Sequence, residues 1–130
     1  MAGERDLQKL LGGMNPELNP GRYVYCTFPG RVPAGLRPVV TVAEAEGVTA
    51  VVAQDEADAL GLTYAYVAAW ITLRIHSALE AVGLTAAVSG RLAEEGISCN
   101  VVAGYHHDHL FVHADDATRA LTALQSLAHA

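Results

Sequence analysis

The most unusual local feature of the sequence is a run of potential metal ligands, His106-His107-Asp108-His109, which His113 follows. Imidazole and carboxylate groups bind transition metals, and Zn²⁺ sites often use three or four of them. Recognised zinc sites, however, use separated pairs of ligands, and consecutive residues of a strand point to alternating sides. The run therefore favours solvated turn residues or polar contacts at a subunit interface, and a metal site stays as the alternative.

No nucleophile in the sequence lies in a recognised catalytic motif. There is no Gly-x-Ser-x-Gly elbow and no phosphate-binding P-loop. Cys99 is a potential thiol nucleophile, but its apolar strand setting should raise its pKa and make it inert. The pairs Glu94-Glu95 and Asp115-Asp116 are typical of helix surfaces. We therefore expect that the chain is not an enzyme and that it needs no cofactor.

The composition is that of a folded domain with an acidic surface. The chain has 130 residues, of which 52% are hydrophobic and 17% are charged, and its net charge is −6. That length is sufficient to bury a proper core. The eight basic residues form no cluster, which argues against binding to nucleic acid or to an anionic membrane surface.

The expected compartment is the cytoplasm. The charged beginning of the sequence is not followed by an apolar signal core, and no apolar run is long enough to span a bilayer. Cys26 and Cys99 both lie in apolar runs. We expect two reduced, buried thiols, because nothing indicates an oxidising compartment.

The first half of the sequence predicts one short helix, three strands and a second short helix. Leu7, Leu10, Leu11 and Met14 recur with helical spacing. Residues 15–21 have the composition of a turn, and residues 29–38, with three Pro and two Gly, that of a loop. The predicted strands are residues 23–27, 39–44 and 48–53, and Asp55 should cap a helix that ends at Leu60.

The second half predicts the element order β-α-β-β-α. Strands are predicted at residues 70–75, 98–103 and 109–112, Thr85 should cap a helix that runs to Glu95, and Asp115 should cap the last helix. This order is the ferredoxin-like split βαβ pattern without its last strand. The strand at residues 23–27 would fill the open edge, although pairing with a second chain would serve equally well.

The segment from Leu84 to Val112 resembles an ACT domain. Gly83, Gly96-Ile97-Ser98, Asn100 and Phe111-Val112 fall where ACT units carry a glycine loop, a helix end and an apolar strand. The similarity is greatest to the aspartokinase and CASTOR-like class, whose units occur as intertwined pairs. The resemblance implies an α+β fold of two ferredoxin-like (βαββαβ) ACT units with antiparallel sheets and helices on one face. We place an abbreviated unit at residues 1–63 and a second at 64–130, completed by strand 22–28.

The resemblance also implies a ligand site beside the loop at residues 79–85. The helix beginning at Thr85 would direct free N–H groups and its positive end at this loop, which suits a carboxylate. Gly83 would allow close approach of the backbone, and Asn100 offers both a donor and an acceptor. The alternative is that Gly83 and Thr85 only form a turn and a cap, and that Asn100 is a satisfied strand residue. The predicted lining is Val82, Gly83, Leu84, Thr85, Asn100 and Val101.

The function that this resemblance implies is regulatory binding of a small-molecule effector, expected to be an amino acid, by a homodimer. One alternative is an interaction or structural module that oligomerises without a ligand. The other is a metal-binding protein that uses the His106 to His109 run.

Overall fold

The computed structural model describes residues 6–75 and 82–129. Its internal contacts divide the chain into two compact units, unit I (residues 1–20 and 69–130) and unit II (residues 21–68). Both units combine antiparallel strands with helices, so the predicted α+β class is confirmed. In chain order the elements are α1 (Leu7–Gly12), β1 (Pro16–Leu18), β2 (Tyr23–Phe28), β3 (Val40–Glu44), β4 (Gly47–Ala53), α2 (Gln54–Ala59), β5 (Val67–Leu73), α3 (Leu84–Glu94), β6 (Cys99–Ala103), β7 (Asp108–His113) and α4 (Ala117–Ala128).

Unit II is a small antiparallel sheet packed against α2. Strand β4 lies between β3 and β2, and β2 pairs through Tyr23 and Val24 with the first two residues of β5. Alternate residues of the strands face a buried cluster, as the period of two requires. Gly47 makes the tight β3–β4 turn, where its φ is +149° and a Cβ would overlap the Phe28 carbonyl oxygen. The members of the buried cluster are Val24, Cys26, Ala50, Val52 and Ala57.

Unit I buries one face of its strands under three helices. Strand β7 lies between β5 and β6, and β1 pairs antiparallel with β5 from Leu18↔Ile71 to Pro16↔Leu73. Each fully buried leucine side chain contributes roughly 1.5–3 kcal/mol relative to exposure. The core contains Leu10 of α1, Val88 and Leu92 of α3, Leu124 of α4, and the strand residues Ile71, Leu73, Leu110 and Val112.

The helix caps differ from the sequence predictions. Thr85 is not the cap of α3: the N-cap is Gly83, and the helix begins at Leu84. Asp55 likewise lies inside α2, whose N-cap is Ala53. At both helix starts the backbone conformation of the N-cap residue alone sets the direction of the chain, because neither N-cap residue makes a side-chain capping hydrogen bond.

The start of the last helix also differs from the prediction. A short 3₁₀ turn, Ala114–Asp116, precedes α4. The N-cap of α4 is Asp116, not Asp115, and its side chain makes no capping hydrogen bond. The preceding 3₁₀ turn is capped by His113, whose Nδ1 accepts from the backbone N–H of Asp115 at 3.2 Å.

Strand β1 lies where the sequence predicted only a turn. Its three residues pair with β5, while β2 contributes two residues to pairing with the same strand. Strand β5 begins and ends earlier than the predicted 70–75 segment. The division into units of 1–63 and 64–130, with the second completed by strand 22–28, stays a prediction.

In the described part of the chain, no helix is both long enough and apolar enough to cross a membrane.

Candidate functional site

The first turn of α3 is open to an incoming anion. Gly83 has a φ of +103°, a left-handed conformation that suits glycine, and a Cβ at this position would lie 3.2 Å from Leu7 Cδ2. No side chain caps the helix, and its first turn contains no acidic residue. The first N–H groups of a helix have no intrahelical acceptor and carry its partial positive charge. This end of the eleven-residue α3 can therefore donate N–H hydrogen bonds to a carboxylate.

The six predicted site residues have different exposures. Val82 and Thr85 are exposed at the beginning of α3, with Val82 at 83%. Leu84 is buried in the core of unit I, and Val101 packs against that core. Residues 79–81 of the expected loop lie outside the described residues.

A narrow cavity that is open to solvent lies against the first turn of α3. Of the predicted residues, it brings together Leu84, Thr85 and Val101. The cavity is too narrow to admit a water molecule, so a ligand side chain would enter it only if the lining moved. Its remaining lining residues are Leu73, Val88, Asp108 and Leu110.

Asp108 lines the cavity but is not among the six predicted site residues. It is 9% exposed and begins β7, on the same side of that strand as the buried Leu110 and Val112. The period of two was the signal that could have identified it, since positions 108, 110 and 112 share a face. Among the residues that line the cavity, it is the one with an ionisable side chain.

Asn100 lies away from this cavity. It is opposite Phe111 in the β6–β7 register, and its Nδ2 donates to the Phe111 carbonyl oxygen at 3.4 Å. Its neighbours Cys99 and Val101 pack against the core, so the side chain of Asn100 belongs to the other face of the strand. The structure thus separates Asn100 from Leu84, Thr85 and Val101.

A polar and aromatic cluster, called the His109 cluster below, occupies this other face of the unit I strands. Trp70 Nε1 donates to His109 Nδ1 at 3.1 Å, and Thr72 Oγ1 lies 3.2 Å from the same nitrogen. Asn19 Nδ2 donates to Thr72 Oγ1 at 2.9 Å. The Trp70 ring stacks on Phe111 with a centroid separation of 6.2 Å. The cluster comprises Asn19, Trp70, Thr72, His109 and Phe111.

Burial is the main reason that the pKa of His109 is lowered, with a further decrease from His107 and Arg74 and an opposing effect of Asp108. From the sequence, His109 is the first residue of the predicted strand 109–112 and part of a run expected to form turn residues, subunit contacts or a metal site. The alternation of Trp70, Thr72 and Arg74 on one face of a strand was the signal for a polar cluster there.

The remaining potential metal ligands and thiols of the described residues lie apart from one another. There, no three His, Cys, Asp or Glu side chains are grouped closely enough to hold a metal ion. Cys26 and Cys99 are free thiols, Cys26 buried and Cys99 partly so. Burial raises the pKa of Cys99 to about 11, which disfavours the nucleophilic thiolate.

Comparison with known proteins supplies the family. A model of the ACT domain matches residues 2–69, and a second ACT-domain model matches residues 66–126. A solved structure from Vibrio cholerae, described as a protein of unknown function and possible transport protein, is 48% identical with a TM-score of 0.86. The match covers 94% of this chain and 95% of that one. A search of curated proteins found no match.

More distant solved structures share the fold. A protein from Agrobacterium tumefaciens is 19% identical, with a TM-score of 0.67 and 87% of each chain covered. The ligand-free regulatory subunit of aspartate kinase from Thermus thermophilus is 10% identical, with a TM-score of 0.65. That match covers 88% of this chain and 97% of the other. The resemblance found in the sequence is confirmed, and the chain belongs to the ACT domain family, with two ACT domains in tandem.

Proposed function

We propose that this tandem ACT protein is a regulatory module that binds a small-molecule effector with a carboxylate, expected to be an α-amino acid, at the first turn of α3. The observation that carries the proposal is the uncapped beginning of this helix at Gly83, with an exposed Thr85 in the first turn. ACT domains are typically regulatory and bind ligands, which supports the same interpretation.

The charges around the cavity favour a zwitterion over a plain carboxylate. The helix end suits the carboxylate of a ligand, while Asp108 lies in the wall of the adjacent cavity. A ligand with a second negative charge near Asp108 would be repelled, whereas an ammonium group would be attracted. The other cavity walls are apolar apart from Thr85, so we expect an amino acid with an uncharged side chain.

Regulation would require the ligand to favour one arrangement of the protein over another, because only differential affinity shifts an equilibrium. The cavity offers a physical basis for such a difference in affinity, since its lining must move before a side chain can enter.

We further propose a cytoplasmic homodimer without catalytic activity, which acts on a separate partner protein. The Thermus thermophilus regulatory subunit, a separate chain of similar extent, supports this arrangement.

A thermal-shift screen of the purified protein against single amino acids tests the proposal. A ligand at a hundred times its dissociation constant should add about 2.7 kcal/mol of stability, which raises the melting temperature by several degrees. The matched control for any amino acid that responds is the amine without its carboxylate, which should not stabilise the protein. Equal stabilisation by the amine would contradict binding through the helix end.

The second candidate is an interaction module without a small-molecule ligand. It is favoured by one observation, the narrowness of the cavity at α3, which offers no preformed space. This candidate predicts a stable oligomer by light scattering and no response to any amino acid in the same screen.

A further inference from the structure

The His109 cluster contains an unusual combination of hydrogen-bonding groups. An indole N–H can only donate, so the Nδ1 atom of His109 must accept from Trp70 and carries no proton. Thr72 accepts from Asn19, which leaves its own hydroxyl proton free to be donated to the same Nδ1. The arrangement therefore specifies a neutral imidazole with its proton on Nε2.

The surroundings hold the imidazole ring in place. The Gly104 backbone N–H donates to the His107 carbonyl oxygen at 2.9 Å and closes the turn before β7. A Cβ at Gly104 would lie 2.8 Å from the His107 carbonyl oxygen and 3.1 Å from His109 Nε2, so glycine fits this turn, which packs closely against the ring. The ring of Trp70 lies on another side, with centroids 5.7 Å apart.

Protonation of Nδ1 would convert an acceptor into a donor that faces the Trp70 N–H. The threonine hydroxyl can rotate and accept instead, but the indole cannot, so the Trp70 bond must break. The ionisable groups whose charges act on His109 are His107, Asp108 and Arg74. Arg74 is itself paired with Glu17 of β1 at 2.7 Å. Of these, His107 and Arg74 oppose a positive charge on His109, and Asp108 favours one.

Strand β1 is connected to this cluster through its following residue. Asn19 donates its backbone N–H to the Trp70 carbonyl oxygen at 2.9 Å and its amide to Thr72. Rearrangement of Trp70 and Thr72 would therefore change the hydrogen bonds of Asn19, the residue that follows β1. We propose that His109 is a pH-dependent switch in this hydrogen-bond network. Neutral His109 joins Trp70, Thr72 and Asn19 into one hydrogen-bonded chain, and protonation of His109 breaks its hydrogen bond with Trp70.

Trp70 is the only tryptophan of the chain, so intrinsic fluorescence reports directly on the Trp70–His109 hydrogen bond. Emission should change in a single one-proton transition on acidification from about pH 8 to about pH 4.5, with its midpoint below the ordinary histidine pKa of about 6.5. The transition should disappear in His109→Gln, whose amide oxygen can still accept from Trp70. It should persist unchanged in His129→Gln, and in His107→Gln its midpoint should rise.

Histidine ¹³C and ¹⁵N NMR of the unmodified protein provides a test that does not depend on the folding of a variant. The expected result is an unprotonated Nδ1 in His109 at neutral pH and a titration midpoint below the ordinary value. A proton on Nδ1 at neutral pH, or a fluorescence transition that survives in a folded His109→Gln variant, would overturn the proposal. Neither outcome bears on ligand binding at α3.

Discussion

Replacement of Thr85 by glutamate tests the assignment of the effector site to the first turn of α3. Thr85 is the second residue of this helix and is exposed, so the change introduces a carboxylate without disturbing the core. A negative charge at a helix N-terminus stabilises the free protein by about 0.3–1 kcal/mol. The same charge would occupy the N–H groups that the ligand requires and would repel the ligand carboxylate.

The expected loss of affinity is much larger than this gain in stability. Hydrogen bonds to a charged group contribute roughly 1.5–3 kcal/mol, which corresponds to a roughly 10- to 150-fold weaker dissociation constant when one is lost. Isothermal titration calorimetry with the amino acid found in the thermal screen measures this change. Thr85→Gln, which adds similar bulk without the charge, should bind more tightly than Thr85→Glu.

Thr118→Glu is the matched control at another helix. Thr118 is also exposed and is also the second residue of its helix, α4. It should leave the affinity unchanged. If Thr85→Glu binds the ligand as tightly as the unmodified protein does, the effector does not use the first turn of α3 and the site assignment is wrong.

Three further predictions concern stability and reactivity. Leu92 is fully buried in the unit I core, so Leu92→Ala should lower the free energy of unfolding by about 2–5 kcal/mol in urea titrations, whereas Leu60→Ala on the surface should have little effect. Burial raises the pKa of Cys99 to about 11, whereas an ordinary cysteine has a pKa of about 8.5, so at neutral pH Cys99 carries at least roughly 100-fold less thiolate. Cys99 should therefore be alkylated much more slowly in the native protein than after unfolding, and equal rates would contradict its burial. His109 has a lowered pKa in the folded state, so below about pH 6.5 the unfolded chain binds more protons than the folded one. The contribution of His109 to the free energy of unfolding should be complete above that pH and should be lost as the pH falls through the pKa of His109 in the folded state. In chemical denaturation, the free energy of unfolding of His109→Gln should depend less on pH over this range.

Local patterns predicted the strands of unit II well. The β3–β4 hairpin follows from alternating apolar residues around Gly47, whose positive φ few other residues tolerate. The buried face of the strands likewise follows from the period of two. Strand β1 was not predictable in this way, because three residues that include a proline become a strand only by pairing with distant β5.

The candidate site was predicted only where it depends on neighbours along the chain. Gly83, Leu84 and Thr85 are adjacent in sequence, and the beginning of a helix near them was expected from composition. The placement of Asp108 and Thr85 around one cavity and the contact of His109 with Trp70 arise from strand order, which local composition does not encode. The predicted capping residue of α3 was also wrong, because a backbone turn at Gly83 replaces the expected side-chain cap.

Backbone amide NMR of the protein during titration with the amino acid that stabilises it tests the central claim most directly. We predict that the first and largest shifts occur at the amides of Leu84, Thr85 and Ala86, followed by those of residues lining the adjacent cavity. Saturating shifts confined to other parts of the chain, with the first turn of α3 unchanged, would contradict the proposed effector site.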